Sequence, residues 1–313
     1  MSSITLVSPD RYEEALRCVL GRRRAVAMTP LIDRLTTAGR LRDGSLMAAE
    51  TSDGRFVAAS LMVQGAGRTV SVMLSTPHGS GGAARCEAVL NSAVDSLAGW
   101  PVDLAQALLS PSDTAVLGVF EACEFFRLAE LHTMTMAVRS RRGDVELPEG
   151  LALRDASDAE LPGILDQTYV DTQDCPQLHG LRHTVDIVAG HRAGGQVVSA
   201  LWQTIVRDGQ PVGCVLMTCD RDAVADLAYI GLMPSSRGRG IAGAVLRVML
   251  KRLLSCDIRT IRLAVDATNA PATRLYRQLG FKKTQIQIAV IRSTRDLQVG
   301  AAHQQDVHKK STS

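Results

Sequence analysis

The sequence predicts an α/β protein made of two related halves, each a set of β-strands that feeds a glycine-rich turn and then a helix. Three observations carry this reading. The chain has 313 residues, about twice the ~100–150 residues of a common domain. Two Asp-Gly turns, Ser52-Asp53-Gly54 and Arg207-Asp208-Gly209, each lie between apolar runs of strand length, the pattern of a β-hairpin. Each hairpin is followed by a third apolar run, a proline, a glycine-rich stretch and a helix-like segment, a recurrence that reads as duplication with divergence.

In the first half the hairpin strands are expected over residues 45–50 and 56–64, the third strand over 69–75, and the turn at Pro77-His78-Gly79-Ser80-Gly81-Gly82-Ala83. In the second half the same parts fall at 199–206, 212–219, 225–233 and Pro234-Ser235-Ser236-Arg237-Gly238-Arg239-Gly240-Ile241-Ala242. Val57, Leu61 and Met62 match Val212, Leu216 and Met217 at one constant offset, and the segment from Phe120 to Phe125 stands opposite the one from Tyr276 to Phe281. Charged residues, Gly and Pro interrupt the apolar pattern over 139–150, so the domain boundary is expected there. The expected organisation is a first domain over 1–140, a second over 150–292, and a polar, frayed tail over 293–313.

Composition removes several classes. Apolar residues make up 46% and charged residues 21% of the chain, ordinary globular usage that excludes a fibre, a coiled coil or a disordered protein. No run of ~18 apolar residues occurs, and the start Met1-Ser2-Ser3-Ile4-Thr5 lacks a basic region followed by an apolar one. A soluble, cytoplasmic protein without a membrane partner is expected. The net charge is +3, concentrated only in short clusters such as Arg22-Arg23-Arg24 and Arg139-Ser140-Arg141-Arg142, which read as solvated arginines, so no nucleic-acid partner is expected. The seven cysteines are odd in number and contain no CxxC pair, which fits reduced thiols.

The chemistry is expected in the second half. A strand runs directly into the turn 237–242, and an apolar-rich helix follows to about residue 254. Gly238 and Gly240 let the backbone approach a ligand closely, and the helix start presents unpaired N–H groups at its positive end. Such a turn cradles anions. Arg237 and Arg239 add charge-assisted donors, so the natural guest is a pyrophosphate. The next strand, 261–265, leads to Asp266-Ala267-Thr268-Asn269-Ala270-Pro271, where Asn or Thr caps a helix and Pro fits its first turn. Tyr276 lies two helical turns beyond Asn269, and Gly280 suits a left-handed cap with Phe281 as its hydrophobic contact.

Arg237-x-x-Gly240-x-Ala242, followed by Asn269-x-x-Ala272-x-x-x-Tyr276-x-x-x-Gly280-Phe281, resembles the GNAT superfamily of N-acetyltransferases over residues 150–292, with a degenerate version over 1–140. The resemblance implies two modules, each a twisted mixed β-sheet flanked by helices, with splayed central strands that admit acetyl-CoA as cosubstrate. It implies pyrophosphate binding by the N–H groups of Gly238, Arg239, Gly240, Ile241 and Ala242, with Arg237 beside them. Pantetheine would pair with the backbone near Leu232 and Met233, whose N–H groups polarise the thioester carbonyl, and Asn269 would help to hold it. Tyr276 takes the place of the phenol that protonates the departing thiolate.

For the base that receives the amine proton the candidate is Asp226, eleven residues before Arg237, a spacing at which some family members carry a glutamate. It shares strand parity with Ala228, Ile230 and Leu232. Tyr229 and a substrate-assisted route stay open. The polar stretch from Tyr169 to His183 is expected to line the acceptor pocket. Its His179 and His183, even with Asp174 or Cys175, fall short of a metal site, and direct transfer leaves no role for Cys175 as a nucleophile.

In the first half His78 replaces Arg237, Asp113 replaces Asn269, Phe120 replaces Tyr276 and Glu124 replaces Gly280. No catalysis is expected there, while CoA binding by Gly79, Gly81 and Gly82 stays open beside a structural role. The expected function is transfer of acetyl from acetyl-CoA to a primary amine, on a small molecule or peptide, through a ternary complex and without a metal. A homodimer stays open. The alternative is a non-catalytic acyl-CoA-binding or sensor protein.

Overall fold

The computed structural model describes residues 2–21, 30, 33, 36–37, 39–139, 146–178, 180–220 and 222–295. The arginine cluster 22–24, Arg141, Arg142, His179 and the tail from 296 onward lie outside the described residues.

The chain forms two compact units, Met1–Leu128 with Ile288–Ser313, and Ala129–Gln287. The first contains β1 (Ser2–Leu6), α1 (Tyr12–Leu20), β2 (Leu46–Thr51), β3 (Phe56–Gln64), β4 (Thr69–Leu74), α2 (Gly82–Ser96), β5 (Leu104–Leu109) and α3 (Thr114–Ala122). After β6 (Phe126–Ala137), the second contains β7 (Leu151–Asp155), α4 (Leu161–Tyr169), α5 (Thr184–Ala193), β8 (Gln196–Arg207), β9 (Gln210–Cys219), β10 (Val224–Leu232), α6 (Ile241–Ser255), β11 (Thr260–Asp266) and α7 (Ala270–Leu279); β12 is Lys282–Ser293. The expected strands are found to within a few residues. The β8–β9 hairpin closes with Asp208 at φ 50° and Gly209 at φ 80°, the two left-handed residues of a type I′ turn that matches strand twist.

Strand order in the first unit is β1-β2-β3-β4-β5-β12, and in the second β6-β11-β10-β9-β8-β7. Both sheets are mixed, with β4 parallel to β5 and β10 parallel to β11. The sixth strand of each sheet therefore comes from the other half of the sequence. β6 pairs antiparallel with β11 from Thr260↔Ala137 to Asp266↔Leu131, and β12 pairs with β5 from Ile288↔Leu109 to Ser293↔Leu104. The units thus depart from the in-order division at 139–150. The reason lies in burial: Ile288 and Val290 sit in the first unit's core, whereas Met134 and Val138 sit in the second's. A fragment of residues 150–292 expressed alone should consequently fail to fold. It lacks β6, leaving the β11 edge unpaired, and circular dichroism with a cooperative melt would overturn this expectation.

Helices cover both faces of each sheet at helical spacing. In the second unit Val245, Leu246, Met249 and Leu253 of α6 pack on Val215, Met217, Ile261 and Leu263. On the other face Leu161, Ile164 and Leu165 of α4 meet Trp202, Cys214 and Leu216. In the first unit α2 buries Cys86, Val89, Leu90, Ala93 and Val94, while α1 buries Ala15 and Leu16.

The parallel pairs are short. β10 pairs with β11 only from Val224↔Thr260 to Asp226↔Arg262, although both strands continue. β4 and β5 likewise pair only from Thr69↔Leu104 to Ser71↔Gln106. Each sheet opens between its two parallel strands, toward its glycine-rich turn.

Candidate functional site

At the open end of β10 the chain turns through Gly238 at φ 73° and Gly240 at φ 76°. A Cβ at either position would meet nothing within 4 Å, so the left-handed backbone, not crowding, requires glycine here. Gly240 is the N-cap of α6, and the first helical bond runs from the Ala244 N–H to the Gly240 carbonyl. The N–H groups of residues 238–243 have no backbone acceptor among the described residues. Six adjacent uncommitted donors at a helix start form an anion cradle. Arg239 is exposed and makes no hydrogen bond or ion pair among the described residues.

Arg237, expected at the phosphates, is used elsewhere. Its Nε donates to the Leu232 carbonyl at 2.9 Å and its Nη1 to the Asp171 carbonyl at 2.9 Å. Its Nη2 donates to the carbonyls of Thr168 at 2.9 Å and Val170 at 2.7 Å. Four of the five guanidinium N–H groups are thus engaged by main-chain oxygens, in place of the phosphate contact expected of them.

The cleft wall on β10 also differs in one detail. The Met233 N–H donates to the Val212 carbonyl at 2.9 Å, which removes it from the donors expected for a thioester. Strand alternation turns the N–H of Leu232 the opposite way, toward the open side. Beneath it, a Cβ on Gly213 would lie 2.2 Å from the Gly231 carbonyl oxygen, so β9 approaches β10 here only because residue 213 is glycine.

Across the opening, Asn269 caps α7 by accepting the Ala272 N–H at 3.2 Å. Gly280 at φ 105° ends that helix, and the Phe281 N–H returns to the Tyr276 carbonyl at 3.0 Å, the six-to-one bond of a Schellman cap. Tyr276 is 7% exposed and packs on Phe281 with ring centroids 5.7 Å apart. Burial, then the nearby Asp174 and Tyr229, push its phenol above the ordinary range. The phenol stays protonated until a strong base forms beside it.

Asp174 comes from the loop between α4 and α5. Its carboxylate accepts the Asp266 N–H at 3.2 Å and the Asn269 side chain, and the Cys175 N–H returns to Asp266 Oδ2 at 3.2 Å. The residue is solvent-exposed, and desolvation by the surrounding protein raises its carboxyl above the ordinary value against the opposing bonds from Asp266 and Asn269. Sequence reasoning placed Asp174 in the stretch expected to line the acceptor pocket and weighed it as a metal ligand, but not as a base. The dense polar stretch carried the signal, but contact with Asn269 is non-local. Burial pushes the Cys175 thiol up to about 12, with Asp174 and Asp266 adding to it, so it is neither a nucleophile nor a thiolate ligand at neutral pH. Among the described residues no group of three or more His, Cys, Asp or Glu is gathered for a metal.

Asp226 does not share a face with Ile230 and Leu232. A register shift between Leu227 and Tyr229 reverses the parity of β10, so Ala225 and Leu227 join Ile230 and Leu232 on the α6 side while Asp226 points away. Its two oxygens are held by Arg262 at 2.5 and 2.8 Å. It also lies about 20 Å along the strand from Leu232. Tyr229 donates its phenol to Thr168 Oγ1 at 2.8 Å, since that hydroxyl itself donates to the Leu165 carbonyl. Burial raises this phenol too, making it a poor base.

His191 on α5 lies beside Tyr229, ring centroids 5.8 Å apart, and its Nε2 makes no hydrogen bond among the described residues. Burial first, and the charge of Arg182 second, lower its pKa to about 4. The unfolded chain therefore binds more protons than the folded one between about pH 6.5 and 4, and stability is lost as pH falls through that window. Up to about 3 kcal/mol is at stake, at 1.36 kcal/mol per pKa unit. His191→Phe, which keeps a ring against Tyr229, should flatten this dependence in thermal melts at pH 4.5 and 7.5; an unchanged slope would place the acid sensitivity elsewhere.

The arrangement of open parallel strands, N–H cradle and capped tyrosine helix coincides with a known family. The model of the acetyltransferase (GNAT) family matches residues 167–281, which hold the β10–β11 opening, the N–H cradle and the capped tyrosine helix. Residues 167–281 of the second unit thus carry a GNAT-family domain. Among curated relatives, a mycothiol acetyltransferase of Acidothermus cellulolyticus is 33% identical over 28% of this chain and 27% of its own length. An uncharacterised N-acetyltransferase of Mycobacterium tuberculosis is 29% identical over 33% of this chain and 61% of its own. The match thus spans little more than a quarter of the mycothiol acetyltransferases. A crystal structure of a GCN5-related N-acetyltransferase from Sphaerobacter thermophilus has the same fold over 94% of this chain and 96% of its own, with a TM-score of 0.62 at 18% identity. A tandem GNAT protein from the clavulanic acid biosynthesis pathway matches 94% of this chain and 99% of its own at a TM-score of 0.50 and 14% identity.

Both units are GNAT-like modules, and the first keeps the backbone of the site with His78 and Phe120 in the places of Arg237 and Tyr276. Gly79 at φ 65° and Gly81 at φ 71° repeat the left-handed pair, and Gly81 caps α2 as Gly240 caps α6. Arg85 folds back onto the carbonyls of Ser80 and His78, each at 3.0 Å. Phe120 is fully buried against Phe125, centroids 4.9 Å apart, and Glu124 at φ 62° takes the left-handed cap position. Phe125 N–H returns to Phe120 O at 3.0 Å, so even the Schellman geometry survives with a residue less suited to it.

Proposed function

We propose that the second GNAT module transfers an acetyl group from acetyl-CoA to a primary amine by direct attack within a ternary complex. The observation that carries this is the run of uncommitted N–H donors at 238–243, placed at the open end of the β10–β11 pair, with a buried phenol on the next helix. Gly238, Arg239, Gly240, Ile241 and Ala242 would hold the pyrophosphate, with Arg239 supplying the free charge. The Leu232 N–H would polarise the thioester carbonyl. The amine nitrogen forms a bond to the acyl carbon, the C–S bond breaks, and Tyr276 donates its proton to the departing sulfur. Free phenol and thiol differ by about 1.5 pKa units; burial raises both in the same direction, so the transfer stays near balance.

Two carboxylates compete for the amine's proton. Asp226 has the family-like spacing, but its oxygens are engaged by Arg262. Asp174 is the better candidate, because it neighbours Tyr276 and its raised carboxyl is better matched to proton transfer. Asp174→Asn should lower kcat/KM and remove an acidic limb of its pH profile, while Asp226→Asn should leave that limb in place. The reverse pattern would restore Asp226.

The decisive test of the function is calorimetric titration with acetyl-CoA followed by a screen of primary amines, small molecules and lysine peptides, for thiol release. Binding with no turnover for any amine would favour a non-catalytic acyl-CoA-binding protein, for which the loss of the tyrosine and arginine positions in the first module is the supporting feature.

A further inference from the structure

Arg237 lies one residue before the N–H cradle, yet all three of its nitrogens point away from it. The carbonyls of Thr168, Val170 and Asp171 are the last of α4 and the turn beyond it. Helix ends carry carbonyls without intrahelical partners and a negative partial charge. α4 has no Schellman cap: Val170 is at φ −57°, ψ 125°, and a turn in which the Thr172 N–H donates to the Tyr169 carbonyl at 3.1 Å, with Asp171 at φ 52°, leaves the carbonyls of Thr168, Val170 and Asp171 to the guanidinium. The planar fork of one guanidinium replaces the Schellman motif, while its Nε holds the Leu232 carbonyl on β10. From this point hangs the loop that carries Asp174 and Cys175 to Asp266 and Asn269.

We propose that Arg237 is a positioning residue that ties the acceptor loop to the cofactor turn, so that acetyl-CoA bound at 238–242 tightens the loop beside Tyr276. The third function of the turn is thus mechanical: its backbone binds the ligand, Arg239 supplies the charge, and Arg237 transmits the constraint. The coupling rests on the acetyl-CoA site proposed above, whereas the cap itself does not. A lysine cannot substitute, because a single ammonium does not span four carbonyls.

The test combines acetyl-CoA titration with amide hydrogen exchange at Thr172, Asp174 and Cys175 on the full chain. Arg237→Met should bind acetyl-CoA within about threefold of wild type while these amides exchange at least about tenfold faster. Saturating acetyl-CoA should slow their exchange in wild type and not in the variant. Arg239→Met should show the opposite, about tenfold or more weaker binding with unchanged exchange in the free protein. Arg237→Lys, the milder change, should retain folding and still fail to protect the loop. If Arg237→Met loses affinity as Arg239→Met does, or Arg237→Lys restores it, with loop exchange unaltered, Arg237 is a charge for the phosphates and the proposal falls. If wild type binds no acetyl-CoA, the proposed function and the coupling both fail, and exchange in the free proteins still decides whether Arg237 caps α4.

Discussion

Tyr276→Phe is expected to lower kcat by about 10²–10⁴, the usual worth of a positioned general acid, while leaving acetyl-CoA affinity and thermal stability nearly unchanged. The substitution is clean for structural reasons. Tyr276 is buried against Phe281, and these contacts belong to the ring, which phenylalanine keeps. Its hydroxyl makes no hydrogen bond among the described residues, so its removal strands no buried partner. The first module already contains this arrangement in Phe120 and Phe125, which shows that the cap tolerates phenylalanine. Steady-state kinetics with thiol detection, beside calorimetry, separates the two quantities. Turnover equal to wild type would remove Tyr276 from the mechanism and leave the thiolate to depart unprotonated or to a water.

Gly240→Glu should abolish measurable acetyl-CoA binding. The residue occupies φ 76° with open space above it, so the new side chain costs about 1–2 kcal/mol in backbone strain and places a carboxylate against the donors meant for phosphate. Losing two charge-assisted bonds at about 1.5–3 kcal/mol each corresponds to an affinity loss of about 10² or more. Gly240→Ala, which carries the strain without the charge, should lose far less. Gly81→Glu makes the matching change in the first module. If that variant halves the binding stoichiometry, the first module holds a second molecule; if it changes nothing while Gly240→Glu removes all binding, the ligand belongs to the second module alone. Retained affinity in Gly240→Glu would contradict the phosphate site.

Local chemistry explains what was readable beforehand. The Asp208-Gly209 turn, the left-handed glycines 238, 240 and 280, and the Asn269 cap are set by residue type within a few positions, because backbone preference and short-range hydrogen bonding act over that distance. The same holds for the duplication, since both halves repeat these local signals. Arg237 and Asp226 were less legible. A motif names the residue but not where a long side chain goes, and three of the four carbonyls that hold Arg237 come from residues 168–171. Parity placed Asp226 correctly only as far as Leu227, because a β-bulge leaves no reliable mark in one sequence.

The sequence by itself determined the two related halves, their strands and helices, the glycine-rich turn at the start of α6 and the phenol on its capped helix. Tertiary structure alone decided that β6 completes the second sheet and β12 the first. It also decided that Asp174 meets Asp266 and Asn269 and that Arg237 serves the α4 terminus. The division follows from range. Turns and caps are fixed by neighbours in the chain, whereas strand partners and side-chain targets are chosen by burial and unmet hydrogen bonds among residues far apart in it.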